Sequence, residues 1–290
     1  HMVAESLPAI LERDPASARR RLADAVAVLS ALEPDGIPLA SLRQGLHREA
    51  KLNAPWEPAP AVELAFGLSA LHAGALPFDA ALRLWRFAGG VLATQGGGGL
   101  PGPQAAKLWA FGLAARHLSS ATARAAMAQA EEAPAMEAFL TRTEQRARNP
   151  EVNCFRLSRE AGPSALLERL EAALPALFPG KPREDRFLVP STPYVVDVAL
   201  EDQRLLLLIP RAAHRAAGSL ALSGAAQLME RTLEAMGWRL RWIWPEQWSA
   251  RLDSLAEGEG KEEALEALRA LLGAGTAAAE GALASQAAAA

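Results

Sequence analysis

Cysteine is nearly absent. A single thiol, Cys154, stands among 290 residues. No disulfide can close within the chain, and a metal site built on cysteines is excluded. With no activating base beside it, Cys154 reads as a small half-buried thiol rather than a nucleophile. Such cysteine usage suits a reducing, intracellular compartment. An excess of one charge is lacking too: 30 basic side chains face 33 acidic ones, for a net charge of −3. A generally basic surface is therefore excluded, and any nucleic-acid contact must come from local clusters. No apolar run approaches the ~20 residues of a membrane span, so no membrane partner is expected. His1-Met2 reads as an expression-vector remnant, which leaves any targeting peptide outside this sequence.

What is present favours helix. Half the residues are apolar, enough for one large core or two ordinary ones. Alanine and leucine dominate, and β-branched residues are few. Leu22, Val26, Leu29 and Leu32 have helical spacing, and Glu33-Pro34-Asp35-Gly36 stops that helix. Further helices are predicted over 39–52, 61–73, 77–92, 103–117 and 119–130, with a flexible loop at Gly96 to Gly99. An echo runs through them: Ala-Val-Leu-Ser-Ala-Leu begins at 27, Phe-Gly-Leu-Ser-Ala-Leu at 66 and Phe-Gly-Leu-Ala-Ala-Arg at 111. Such offsets suit helical-pair repeats, which stack because no pair buries its faces alone. Chance likeness in an Ala/Leu-rich chain is the plainer alternative.

The expected fold class is α+β: an N-terminal α-helical repeat domain, α-solenoid-like, over 3–140, then a small α/β domain over 163–272. The polar stretch 141–162, with Arg142, Glu144, Arg146, Arg148 and Asn149-Pro150, reads as the connection. One amphipathic helix is predicted over 163–177, a loop over 178–186 and a last helix over 262–272. The Ala/Gly-rich tail 273–290 has little to pack and is expected to be disordered or to fray.

The segment 189–248 carries the candidate site. Two apolar runs flank Glu201-Asp202-Gln203, which predicts a hairpin. An amphipathic helix follows, ended by Gly237. A third strand, Arg239 to Trp244, runs into Pro245. Asp197 lies on the first strand between Val196 and Val198. It reads either as a metal or phosphate-side ligand or as a carboxylate paired with Arg204, Arg211 or a backbone donor. His214, just past the second strand, is a general acid, a phosphate contact or a loop cap, and Arg211 and Arg215 beside it favour phosphate. On a strand, Trp238, Trp242 and Trp244 share one face and Arg239 and Arg241 the other. Bases stack on flat rings and the backbone needs cations, so Arg239, Arg241, Trp244 and Trp248 are candidate RNA contacts. The competing reading packs the tryptophans on the helix 225–236. In the front half, Arg19-Arg20-Arg21, Arg43, His47, Arg48 and Lys51 form basic helical faces, with Arg83, Arg86, Lys107, Arg116 and His117 more scattered. They read as phosphate contacts on a concave face, or as solvated faces with acidic partners.

From Phe187 to Leu272 the chain resembles a RAP domain, a module of organelle RNA-processing factors. The residues that carry the likeness are Tyr194-Val195-Val196-Asp197, Leu200, His214, Leu222-Ser223-Gly224, Leu228, Leu233, Gly237-Trp238, Ile243, Pro245, Trp248, Leu268 and Leu271. The helical half, with Leu108-Trp109-Ala110 at a helix start, resembles octotricopeptide-like or FAST-kinase-like repeats. The resemblance implies a restriction-endonuclease-like fold, with Asp197 at the metal-binding position and His214 at the family's histidine. Where the family often reads Glu-Val-Asp-Gly-Pro-Ser-His, this chain has Leu208-Ile209-Pro210-Arg211-Ala212-Ala213-His214. Leu208 and Pro210 offer no oxygen to Mg²⁺, which wants several hard ligands. Glu168 or Glu171 would have to supply another carboxylate. The expected function is thus RNA binding in organellar RNA metabolism, mitochondrial or plastid, with no cofactor. A metal-dependent endoribonuclease using Asp197 and His214, with Mg²⁺, is one alternative. A protein scaffold within a ribonucleoprotein or ribosome is another.

Overall fold

The computed structural model describes residues 20, 22–26, 57–71, 77–94, 100–147, 164–216, 221–257 and 261–273. The expected helix 39–52 with Arg43, His47, Arg48 and Lys51, the glycine loop 96–99, Cys154, most of the connecting segment and the tail beyond 273 lie outside the described residues. In chain order the elements are α1 (Pro58–Ala70), α2 (Phe78–Thr94), α3 (Gly102–Leu118), α4 (Ala121–Ala128), α5 (Ala133–Ala147), α6 (Ser164–Leu177), β1 (Glu184–Leu188), β2 (Val195–Leu200), β3 (Leu205–Leu208), α7 (Gly224–Ala235), β4 (Arg239–Trp242), α8 (Pro245–Glu257) and α9 (Lys261–Leu272). The described part is mostly helical with a small four-stranded mixed sheet, an α+β protein. It divides into two compact units, each gathered from separate stretches. One holds the described residues up to 147 with those of 188–195 and 212–236; the other holds those of 164–187, 196–211 and 237–273.

In the first unit, α1 and α3 are apolar on nearly every side, and such helices belong at the centre of a core. Residues 64 to 70 of α1 and 108 to 115 of α3 are buried without a break. The two pack on each other, and α7 packs on both. Around them α2 packs on α1, α4 and α5. The echoed Phe-Gly-Leu places a glycine where another chain segment presses close. A Cβ on Gly67 would stand 2.6 Å from Val26 Cγ1, and one on Gly112 would stand 2.6 Å from Leu140 Cδ2. The connecting segment begins later than its polarity predicted, because α5 continues to Ala147. Met136, Phe139 and Leu140 bury its first turns, and the charged residues that follow remain good helix formers.

Helix α7 ends just before Gly237, as the sequence implies, and begins at a serine cap that the sequence reading did not name. The Ser223 hydroxyl caps it, accepting from the Ala226 N–H at 3.3 Å and donating to the Ala213 carbonyl at 3.2 Å. Gly237 follows with φ +86°, a left-handed conformation that glycine adopts freely. Ser223→Ala is expected to cost about 1–2 kcal/mol, read as a lower urea midpoint, because a buried cap loses both bonds. An unchanged midpoint would deny the cap its role.

In the second unit the strand order is β1-β2-β3-β4. β2 and β3 form the expected antiparallel hairpin, with Val198 opposite Leu207 and Leu200 opposite Leu205. A single 3-10 turn, Glu201–Gln203, closes it, and Arg204 takes the left-handed φ of 49° that turns the chain back. β3 and β4 are parallel, Leu205 beside Arg239 and Leu208 beside Trp242. All four β3 leucines are buried, as a strand covered on both faces requires. The core joins Leu166, Leu170 and Leu174 of α6 to Val198, Leu200, Leu205 and Leu207 of the hairpin, and to Trp248, Leu252, Leu268 and Leu272 of α8 and α9. Two expectations need correction. β1 lies partly in the expected loop. β4 stops at Trp242, not at Trp244. Pro245 opens helix α8, since proline suits a first helical turn.

Candidate nucleic-acid interface around Asp197

β2 is covered on both sides, so Asp197, 2 % exposed, has no water to solvate its charge. The hairpin register carries the end of β3 to it. Asp197 Oδ2 accepts the Ile209 backbone N–H at 2.8 Å, and Oδ1 accepts from Arg211 Nη2 at 2.8 Å. Both oxygens are thereby engaged by donors. Burial still holds the Asp197 carboxyl above its ordinary value, against the pull of the Ile209 N–H, Arg211 and Arg186. The Arg211 side chain is 26 % exposed, so the pair has one buried and one partly wet partner. Of the two readings of Asp197, the geometry is that of the paired carboxylate.

These residues do not fit a metal ion. Leu208 and Pro210 are buried apolar neighbours, and the two Asp197 oxygens already face N–H groups. Burial and Asp185 hold the Glu171 carboxyl above its usual range, with weaker contributions from Glu168 and Asp197. Yet among the described residues no group of three or more His, Cys, Asp and Glu is placed to hold a metal.

His214 ends the 3-10 turn Ala212–His214, and its carbonyl accepts the Ser223 N–H at 2.8 Å. Arg215 bridges Leu222 in antiparallel fashion. Both are half-buried. His214 and Arg215 belong to the first unit, whereas Asp197 and Arg211 belong to the second.

The tryptophans divide otherwise than a six-residue strand implied. Trp238, Trp242 and Trp248 are 5 %, 8 % and 4 % exposed, and Trp244 is half-exposed. Trp248 lies on α8 and within the core, so it presents no open ring for a base. Trp238 has the Arg204 guanidinium 4.7 Å over its ring and Phe187 at 6.0 Å. Arg239 and Arg241 do share one side of β4, alternating with buried Leu240 and Trp242. Their heads, however, reach carbonyl groups: Arg239 donates to Gln203 at 3.3 Å, and Arg241 to Leu271 at 3.1 Å and Leu240 at 3.0 Å. Arg241 thus serves the C-terminal end of α9, where a cation is favourable.

In the first unit Arg83 and Arg86 are exposed. Lys107 meets Glu63 at 2.6 Å, and Arg116 meets Glu137. Burial and the neighbouring Arg116 and Arg124 push His117 below its ordinary value. Sequence reasoning offered a backbone donor to Asp197 without placing it at Ile209, and it missed Arg186, which stands at φ 54° on β1. A backbone donor leaves no compositional trace, and a charged edge strand shows no alternation. Set against protein-family models and against curated proteins, the chain matches none.

Proposed function

We propose that this chain is a non-catalytic RNA-binding protein of organellar RNA metabolism, mitochondrial or plastid, acting in RNA processing, stability, translation or ribosome assembly. In this reading the sheet and its helices are a RAP domain of the restriction-endonuclease-like kind, preceded by short helical repeats. One observation carries the non-catalytic half: Arg211 and the Ile209 N–H take both oxygens of Asp197, where a nuclease would hold its metal. The RNA half is supported by the RAP resemblance and by the half-exposed Arg211, Arg215 and Trp244. The packing of α1 on α3, and of α2 on α4 and α5, supports the repeat reading.

Filter binding tests it. The full chain should bind single-stranded RNA with a Kd of about 1 µM or tighter at low salt, and weaken steadily as salt rises. Absence of binding at low salt ends the proposal. Incubation with Mg²⁺ or Mn²⁺ should leave the RNA intact; cleavage that Asp197→Ala abolishes would overturn the non-catalytic half.

A scaffold within a ribonucleoprotein is the second reading. It is favoured by ion pairing that offsets several cations: Arg20–Glu57, Lys107–Glu63, Arg116–Glu137, Arg169–Asp253 and Lys181–Asp202. Crosslinking RNA to the pure protein and mapping the peptides separates the two, since a scaffold yields none.

A further inference from the structure

We draw no further inference here: the strongest candidate, the side-chain cluster of Arg183, Arg186 and Arg211 about the buried Asp197 of the sheet unit, belongs to the site already described, with its charge matched by Glu171, Asp185 and Asp197 and no ligand indicated among the described residues.

Discussion

Gly89→Ala is expected to lower stability by about 2–3 kcal/mol, whereas Gly90→Ala, one residue on, is expected to raise it by about 0.5–1 kcal/mol. Both glycines lie within α2, where alanine is intrinsically the better residue. Their surroundings decide the sign. A Cβ on Gly89 would stand 2.5 Å from Glu132 Cβ, 2.9 Å from the Glu132 carbonyl oxygen and 3.2 Å from Met136 Cγ. The methionine can swing aside; the backbone oxygen cannot without moving the start of α5. A Cβ on Gly90 meets nothing within 4 Å, so only the backbone gain remains. Urea midpoints of the two variants beside the parent would check this. Equal effects, of either sign, would mean that α2 and α5 do not cross at Gly89.

Arg211→Met is expected to cost about 3 kcal/mol at neutral pH, and Asp197→Asn only about 1 kcal/mol. The asymmetry follows from burial. Without Arg211, the Asp197 carboxylate stays enclosed with a single N–H partner. Without the carboxylate, a guanidinium on a side chain already 26 % exposed turns toward water, and the asparagine oxygen still accepts from Ile209. The loss should also depend on pH. Burial holds Asp197 above its ordinary value, so the folded protein keeps this proton to higher pH than the unfolded chain does. Stability from this group is therefore greatest in acid and falls as pH rises from the ordinary value of 3.8 through the raised one. Removing the guanidinium raises the carboxyl further and widens that window. The deficit of Arg211→Met should accordingly shrink in acid and reach its full size at neutral pH. A deficit constant from acid to neutral pH would assign the loss to packing instead.

The legible parts of this fold are those where one local rule dominates. Helices α1 to α3 announce themselves by unbroken apolar spacing between prolines, and the hairpin by two apolar runs around Glu201-Asp202-Gln203. Helix α7 has its terminal glycine, Gly237. Elsewhere two rules compete. Glu184, Asp185 and Arg186 are exposed, so β1 lacks the alternation that marks a strand. Pro245 can stop a strand or open a helix, and here it opens α8. That choice sets Trp248, a candidate RNA contact by sequence, on a helix and in the core. At the site, the need of Asp197 for a partner was legible, and Arg211 stood among the nominated partners. The choice among them depends on where the chain leaves β3, which is set by register and not by composition.

Helix α7 lies between β3 and β4 in the chain, yet it packs on α1 and α3 and buries Leu228, Met229 and Leu233. No single cut in the gene divides these elements along their packing. A strand cassette excised from β2 to β4 would carry α7 off and strip α1 and α3 of the leucines that cover them.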